Sequence, residues 1–207
     1  CQLRLPVTHV LGSADASTQD CNILILGATG NFGRRISERL AASTRATLVL
    51  ASRSLQRSAA LVNEITTRHA SSVLHAAEID QFSDSLVSDL QRLEPDIVVH
   101  TAGPYQALDY RVAEACIAIG SHYVDLADGR AFVSRIDSLN SKAVAADVLI
   151  VSGASTLPGL SGAVLKEYQG EYEQIDSIEI CIAPAHQTPR GLGTVEAVLG
   201  YCGKRYD

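Results

Sequence analysis

The sequence predicts a doubly wound α/β fold, in which helices cover both faces of a parallel β-sheet, followed by the start of a second α+β domain. Short apolar runs alternate with longer helical patterns six times between residues 21 and 169. Strands that are connected through helices in this way pair in parallel. The run Ile23–Leu26 also contains no polar residue, as expected of a strand that is buried on both faces.

The predicted elements follow one another without a break. Strands are predicted at residues 21–26, 46–51, 72–78, 96–101, 121–126 and 147–152, and helices at 32–43, 54–69, 82–93, 107–119, 130–146 and 159–169. Pro95 and Gly120 fall at element boundaries, and Pro158 falls in the first turn of the sixth helix, where a missing N–H is tolerated. These residues support the alternating order.

The chain is predicted to divide near residue 155. Residues 1–20 end in small and polar residues without an apolar period, which indicates a leader or disordered tail. Residues 21–155 form the α/β domain, and residues 156–207 begin a second one. There, residues 175–182 alternate like a half-exposed strand and residues 194–203 have a helical pattern. Because no methionine is present, even at position 1, we expect a trimmed or partial product.

Composition excludes several classes of protein. The chain has 207 residues, of which 46% are hydrophobic and 19% charged, as is usual for a globular protein. A net charge of −6 argues against a nucleic-acid or anionic membrane surface as partner. No apolar run is long enough to cross a bilayer. The five scattered cysteines are typical of reduced core thiols in a cytoplasmic protein.

A glycine-rich turn joins the first strand to the first helix. It reads Gly27-Ala28-Thr29-Gly30-Asn31-Phe32-Gly33, a Gly-x-x-Gly-x-x-Gly spacing that differs from the usual dinucleotide motif and occurs in plain loops too. Between a strand and a helix, however, such glycines permit a sharp turn, a close approach to a pyrophosphate and tight packing of the helix. The helix N-terminus then faces the anion.

The end of the second strand distinguishes between two dinucleotides. An NAD site usually has Asp or Glu here to bind the ribose 2′-OH, but this chain has Ser52-Arg53, with Arg57 one helical turn later. A guanidinium fits a phosphate, which a carboxylate would repel. The sequence therefore predicts NADP as the cofactor and makes NAD less favoured. Alternatively, both arginines are solvated residues at the start of a helix.

The remaining strand ends supply further candidates. Asp80 either binds the adenine amino group or caps the next helix. The run Ala102-Gly103-Pro104 lets the backbone pass close to a flat ligand or is merely a turn. Tyr105 and Asp125, at the ends of the fourth and fifth strands, are the predicted catalytic residues. The predicted cofactor-binding residues are Gly27, Thr29, Gly30, Asn31, Phe32, Gly33, Ser52, Arg53, Arg57, Asp80, Ala102, Gly103 and Pro104.

Several common catalytic motifs are missing. None of Lys142, Lys166 and Lys204 has a tyrosine four residues earlier, which excludes the Tyr-x-x-x-Lys mechanism of short-chain dehydrogenases. The histidines and cysteines show no spacing typical of metal ligands, so no metal site is predicted.

Together these motifs, in a consistent order over residues 21–165, resemble the saccharopine dehydrogenase-like NADP-binding domain. The motifs that carry the resemblance are the glycine turn, Ala51-Ser52-Arg53, the segment 98–105, the segment 113–125 and the residues from Ser152-Gly153 to Pro158-Gly159. The resemblance implies a Rossmann domain, a following domain for substrate binding and dimerisation, and hydride transfer in the cleft between them. Members include saccharopine reductases, carboxynorspermidine dehydrogenases and enoyl-type reductases, so the family does not identify the small-molecule substrate.

Two hypotheses of different classes follow from the sequence. The first is an NADP(H)-dependent oxidoreductase that acts on an imino or amino acid, or on an enoyl or carbonyl compound. The second is a non-catalytic NADP(H)-binding module or sensor that acts through a partner. The set of residues at the strand ends favours the first hypothesis, and the lack of an obvious acid/base pair favours the second.

Overall fold

Six parallel strands form one sheet in the order β3-β2-β1-β4-β5-β6. The computed structural model describes residues 21–69, 73–183, 187, 191–200 and 202–203. The strands are β1 (Asn22–Leu26), β2 (Thr47–Ser52), β3 (Leu74–Glu78), β4 (Ile97–His100), β5 (His122–Asp125) and β6 (Ile150–Val151). This order, with its reversal between β1 and β4, is that of a Rossmann fold. The predicted doubly wound α/β fold is confirmed.

Helices connect the strands and cover both faces of the sheet. They are α1 (Asn31–Ser43), α2 (Leu55–Arg68), α3 (Leu86–Leu93), α4 (Arg111–Ile119), α5 (Arg130–Val133), α6 (Asn140–Ala145), α7 (Ser161–Tyr168) and α8 (Leu192–Leu199). The predicted helix 130–146 is divided, because a 3₁₀ turn at Ile136–Leu139 separates α5 from α6. The predicted helix 159–169 follows a π turn at Thr156–Leu160 and leads into a 3₁₀ turn at Gln169–Glu171.

Two helices begin later than predicted because aspartate side chains stabilise turns ahead of them. The carboxylate of Asp80 accepts a hydrogen bond from the backbone N–H of Phe82, four residues before α3 begins. In the same way, Asp109 accepts from the backbone N–H of Arg111, and a short 3₁₀ turn at Tyr105–Ala107 precedes α4. Such local bonds compete with the helical pattern.

Strand β1 lies at the centre of the sheet and contributes to both hydrophobic cores. Leu24 packs on one side with the apolar residues of α3 and α4, and Ile25 packs on the other with those of α1 and α2. Both side chains are fully buried. The unbroken apolar run of β1 therefore reflects burial on two faces, as the sequence predicts.

The C-terminal part differs from its prediction. Residues 175–182 pair with no strand among the described residues, and their isoleucines are exposed; Ile178, for example, is 51% exposed. The predicted strand was wrong because alternation describes a half-exposed strand but supplies no neighbour to pair with. The helix predicted at 194–203 is α8, Leu192–Leu199. The predicted leader, residues 1–20, lies outside the described residues, and the division near residue 155 stays a prediction.

The cysteines divide into buried and exposed residues. Cys116 is buried, and burial raises the pKa of its thiol to about 12, as expected of a core thiol. Cys181 and Cys202 are exposed, so the expectation of core thiols was wrong for these two. Among the described residues, no helix combines the length and the apolar composition that a membrane span requires. A cytoplasmic location stays a prediction.

Candidate functional site

A cleft of about 1720 Å³ runs along the carboxyl ends of the strands. The loops that follow all six strands contribute to its walls, and it is larger than the roughly 300–1,000 Å³ typical of small-molecule pockets. The predicted site residues that line it are Gly27, Thr29, Gly30, Asn31, Phe32, Ser52, Arg53, Arg57, Ala102, Gly103, Pro104 and Tyr105. Three predicted site residues, Gly33, Asp80 and Asp125, are not among those that line it.

The glycine turn depends on its three glycines for different reasons. Gly27 has a φ of +89°, and a Cβ atom there would lie 2.9 Å from the backbone nitrogen of Ala102. A Cβ atom on Gly33 would overlap the carbonyl oxygen of Gly27 and lie 2.8 Å from the Cα atom of Ala28. Gly30 is exposed, precedes α1 and lines the cleft. Gly27 and Gly33 are therefore needed for packing, whereas Gly30 borders the space in which a ligand would lie.

Two arginines face the cleft after β2. Arg53 and Arg57 are exposed, and neither forms an ion pair with any residue that the structure describes. By contrast, Arg34 on α1 donates two hydrogen bonds to Glu64, at 2.6 and 2.8 Å. The turn that carries Arg53 and leads into α2 is held by Ser52, whose hydroxyl donates to the carbonyl oxygen of Ser54 at 3.0 Å. Two uncompensated cations thus border one end of the cleft.

A buried histidine network lies beneath the centre of the cleft. His100 Nε2 donates to Gln81 Oε1 at 2.8 Å, and the Tyr123 hydroxyl donates to His100 Nδ1 at 2.9 Å. We assign this tautomer because Gln81 uses its amide nitrogen to donate to the carbonyl oxygen of Ala102. Burial lowers the pKa of His100 to about 4, so the ring is neutral at neutral pH.

The roles of His100 and Gln81 were not predicted from the sequence. The signal was a polar residue at the last position of an apolar strand, Ile97–His100, because such a side chain needs a buried partner. Gln81 is the more informative of the two, since it contacts both the histidine and the cleft.

Asp125 points into the protein. It is fully buried and accepts hydrogen bonds from the Ser152 hydroxyl at 2.8 Å, from the backbone N–H of Gly153 at 2.8 Å and from that of Ala127 at 2.9 Å. These bonds fasten the loop after β5 to the loop after β6. The carboxylate fixes the shape of the cleft wall without lining it.

Tyr105 lines the cleft, but its hydroxyl is used internally. The side chain is 6% exposed, and its hydroxyl donates to the carbonyl oxygen of His100 at 2.6 Å and accepts from the backbone N–H of Leu126. Burial raises the pKa of the phenol well above its usual value. The ring also packs against His100 and Phe132, with centroids 5.4 and 5.5 Å away. Tyr105 thus braces the wall of the cleft.

These features fit NADP(H). The backbone N–H groups at the N-terminus of α1, directly after the glycine turn, border the place where a pyrophosphate would bind. Arg53 and Arg57 would bind the 2′-phosphate, since their charges are not neutralised by described residues. Among the residues that the structure describes, no cluster of His, Cys, Asp or Glu is arranged to hold a metal ion.

Comparison with known proteins also identifies an NADP-binding domain. The family model "Saccharopine dehydrogenase NADP binding domain" matches residues 23–151. A Mycobacterium tuberculosis protein named as a candidate trans-acting enoyl reductase is 33% identical over 114 residues, which make up 54% of this chain and 26% of that protein. A lipid droplet localized protein of Caenorhabditis elegans is 23% identical over 198 residues, 90% of this chain and 46% of that protein. The chain thus spans between about a quarter and a half of the length of these relatives.

A solved structure supports the fold. Saccharopine dehydrogenase (L-Glu forming) from Saccharomyces cerevisiae superimposes with a TM-score of 0.55 at 19% sequence identity, and the match covers 72% of this chain and 31% of that one. The strand order, the glycine turn and the match of the family model over residues 23–151 agree. This chain belongs to the family of saccharopine dehydrogenase NADP-binding domains, and its cofactor is NADP.

Proposed function

We propose that this chain is the cofactor-binding part of an NADP(H)-dependent oxidoreductase that acts on a small-molecule substrate. When bound, the nicotinamide supplies or accepts a hydride. The glycine turn holds the pyrophosphate, Arg53 and Arg57 hold the 2′-phosphate, and the wall formed by Ala102–Tyr105 borders the nicotinamide. The protein contributes mainly by orienting cofactor and substrate and by excluding water.

The observation that carries this proposal is the pair of exposed arginines without ion-pair partners among the described residues. A cation beside a cleft that also contains an α-helix N-terminus favours a polyanionic ligand. A charge-assisted hydrogen bond contributes about 1.5–3 kcal/mol, so one contact to the 2′-phosphate favours NADPH over NADH by about ten- to a hundredfold.

Titration with NADPH and NADH, followed by the fluorescence of the reduced nicotinamide, tests the cofactor site. Arg53→Ala should weaken NADPH binding by about tenfold or more and leave NADH binding nearly unchanged. Arg35→Ala is the matched control, because Arg35 is exposed on α1 but does not line the cleft. Equal loss of both cofactors in Arg53→Ala would show that Arg53 has a structural role instead.

Tyr105 and Asp125 are proposed to position the reacting groups. Their catalytic roles stay predictions, and their contacts favour a supporting role, since the hydroxyl of Tyr105 and the carboxylate of Asp125 are both bonded within the protein. In this role they keep the loops after β4, β5 and β6 at fixed distances from the nicotinamide site. A positioning residue should affect turnover through geometry, so a change there should alter KM and kcat together.

The substrate is proposed to be either an imino or amino acid or an enoyl or carbonyl compound. The mycobacterial relative named for enoyl reduction supports the second group. Oxidation of NADPH, measured with an enoyl thioester and separately with an imino acid, would distinguish them. Turnover of the imino acid alone would contradict the enoyl assignment.

A second candidate function is a non-catalytic NADP(H)-binding module. It is favoured by the internal bonds of Tyr105 and Asp125, which leave neither group presented to the cleft as an acid or base. Tight NADPH binding without turnover of either substrate type, in a chain as long as its relatives, would support this candidate over the enzyme.

Residues 156–207 are proposed to take part in a homodimer, and the protein is proposed to be cytoplasmic. The exposed apolar residues of this segment, such as Leu160 and Ile180, support an interface. Light scattering after size-exclusion chromatography would test it. A monomer at micromolar concentration would contradict the dimer.

A further inference from the structure

We infer that Phe82 is the platform on which the adenine ring stacks, with Arg111 supporting the phenyl ring from outside and Asp80 fixing the turn that carries it. The inference rests on the proposed NADP(H) site and adds a residue that sequence analysis did not select. Phe82 is 52% exposed and lines the cleft. Phenylalanine side chains are usually buried, whereas this ring is exposed at the cleft and is available to a ligand there.

The position of Phe82 in the sheet identifies the ligand group that it meets. In this fold, the dinucleotide crosses the sheet where the strand order reverses, between β1 and β4. The 2′-phosphate side is set by Arg53 after β2, so the adenosine half lies over β2 and β3. Phe82 follows β3, next to Gln81 in the chain, and lines the same cleft as Arg53. It is therefore placed at the end of the cleft that receives the base.

The phenyl ring is held in place from two directions. The guanidinium carbon of Arg111 lies 5.2 Å from the ring centroid, a cation–π distance. Arg111 is itself fixed by Asp109, with Nε and Nη2 at 2.8 and 2.7 Å from the two carboxylate oxygens. The backbone N–H of Phe82 donates to Asp80 at 3.0 Å. A ring fixed in advance loses little conformational freedom when a base stacks on it.

These contacts also give Asp80 a role that differs from direct adenine binding. Its carboxylate does not line the cleft, and it accepts a hydrogen bond from the turn that presents the ring. Asp80 is thus a positioning residue for the adenine platform.

Binding of three ligands to wild type is measured first. They are NADPH, 2′,5′-ADP and reduced nicotinamide mononucleotide. Of the two fragments, 2′,5′-ADP contains the base and the 2′-phosphate, and the mononucleotide contains neither. In Phe82→Ala, the Kd of NADPH and of 2′,5′-ADP should each rise about tenfold, as expected for one lost base–aromatic stack, and that of the mononucleotide should not change. Phe82→Tyr should retain wild-type affinity. If wild type binds NADPH but Phe82→Ala binds it equally well, the platform is overturned and the proposed function stands. Failure of wild type to bind NADPH would overturn both.

A spectroscopic test follows the stack directly. Because the chain contains no tryptophan, Phe82→Trp introduces a single indole whose fluorescence should be quenched when 2′,5′-ADP is added. Val87→Trp is the control, because Val87 is 42% exposed on α3 and does not line the cleft. Equal responses of the two indoles would overturn stacking at position 82.

Discussion

On the β1–β3 side of the cleft, Arg53 and Arg57 face open space without ion-pair partners among the described residues, whereas on the β4–β6 side the polar atoms of His100, Tyr105 and Asp125 are bonded within the protein. The first side has positive charges that no described residue neutralises, so it suits an anionic ligand. The second is a rigid frame in which these three side chains already have hydrogen-bond partners. Substitutions on the frame should therefore change stability first, and substitutions on the open side should change binding first.

The largest effect is expected from Asp125→Ala. Three donors, the Ser152 hydroxyl and the backbone N–H groups of Gly153 and Ala127, would lose their acceptor inside the protein. At about 1 kcal/mol or more for each buried donor, the free energy of unfolding should fall by about 3 kcal/mol or more. Urea unfolding would measure it, with Asp137→Ala, an exposed carboxylate, as control. A loss below about 1 kcal/mol would contradict this account of the frame.

His100 should make the frame sensitive to acid. Its pKa is about 4 in the folded protein, against 6.5 for the free side chain, so the unfolded chain binds more protons between these values. The contribution of the neutral His100 ring to the free energy of unfolding is complete above pH 6.5. It is lost as the pH falls toward 4, and the free energy of unfolding falls by about 3 kcal/mol.

The measurement for this pH prediction is the free energy of unfolding at several pH values for wild type and for His100→Asn. The wild-type curve should fall more steeply between pH 6.5 and 4. His75→Asn, an exposed histidine, provides the comparison. Parallel curves for wild type and His100→Asn would show that burial of His100 does not set the acid response.

In the seven residues of the glycine turn, effects on stability can be separated from effects on cofactor binding. Gly33→Ala places a methyl group against the Gly27 carbonyl oxygen and should destabilise the fold by about 2 kcal/mol. Gly30→Ala meets only that oxygen, at 3.2 Å, so stability should change little while NADPH binding weakens. Thermal unfolding and NADPH titration of both variants would test this. Equal loss of stability in the two would contradict the division of roles.

The smallest effect is expected from Tyr105→Phe. It removes one hydroxyl that donates to the His100 carbonyl oxygen, and it should lower stability by about 1 kcal/mol without changing the Kd of NADPH. Tyr172→Phe is the control, because Tyr172 is 60% exposed. A large fall in kcat at unchanged KM and unchanged stability would instead support the catalytic role predicted from sequence.

The sequence was most informative where one local cause determines the structure. Apolar runs predicted all six strands of the sheet, and Arg53 and Arg57 line the cleft together with every predicted residue of the glycine turn except Gly33. That these residues bind the cofactor stays a prediction. It was least informative about side-chain direction. Asp125 ends a strand like a cleft-facing residue, but its partner Ser152 is 27 residues away and could not be identified in advance.

The same limit applies to features that depend on distant parts of the chain. His100 acquires its role only through Gln81 and Tyr123, which belong to other loops and strands. The segment 175–182 has the alternation of a strand but no neighbouring strand among the described residues. Local patterns specify what a segment is able to form, and long-range contacts decide what it does form.

The central position of β1 affects how the chain folds during synthesis. β1 pairs with β2 on one edge and with β4 on the other, and the bond from the Asn22 backbone N–H to the Asp96 carboxylate spans 74 residues. While the chain is being synthesised, the second edge of this apolar strand has no partner until Ile97–His100 has left the ribosome. An unpaired apolar strand edge is a template for association with other chains. The strand that anchors the cofactor turn is thus also a segment exposed to misassembly before the domain is complete.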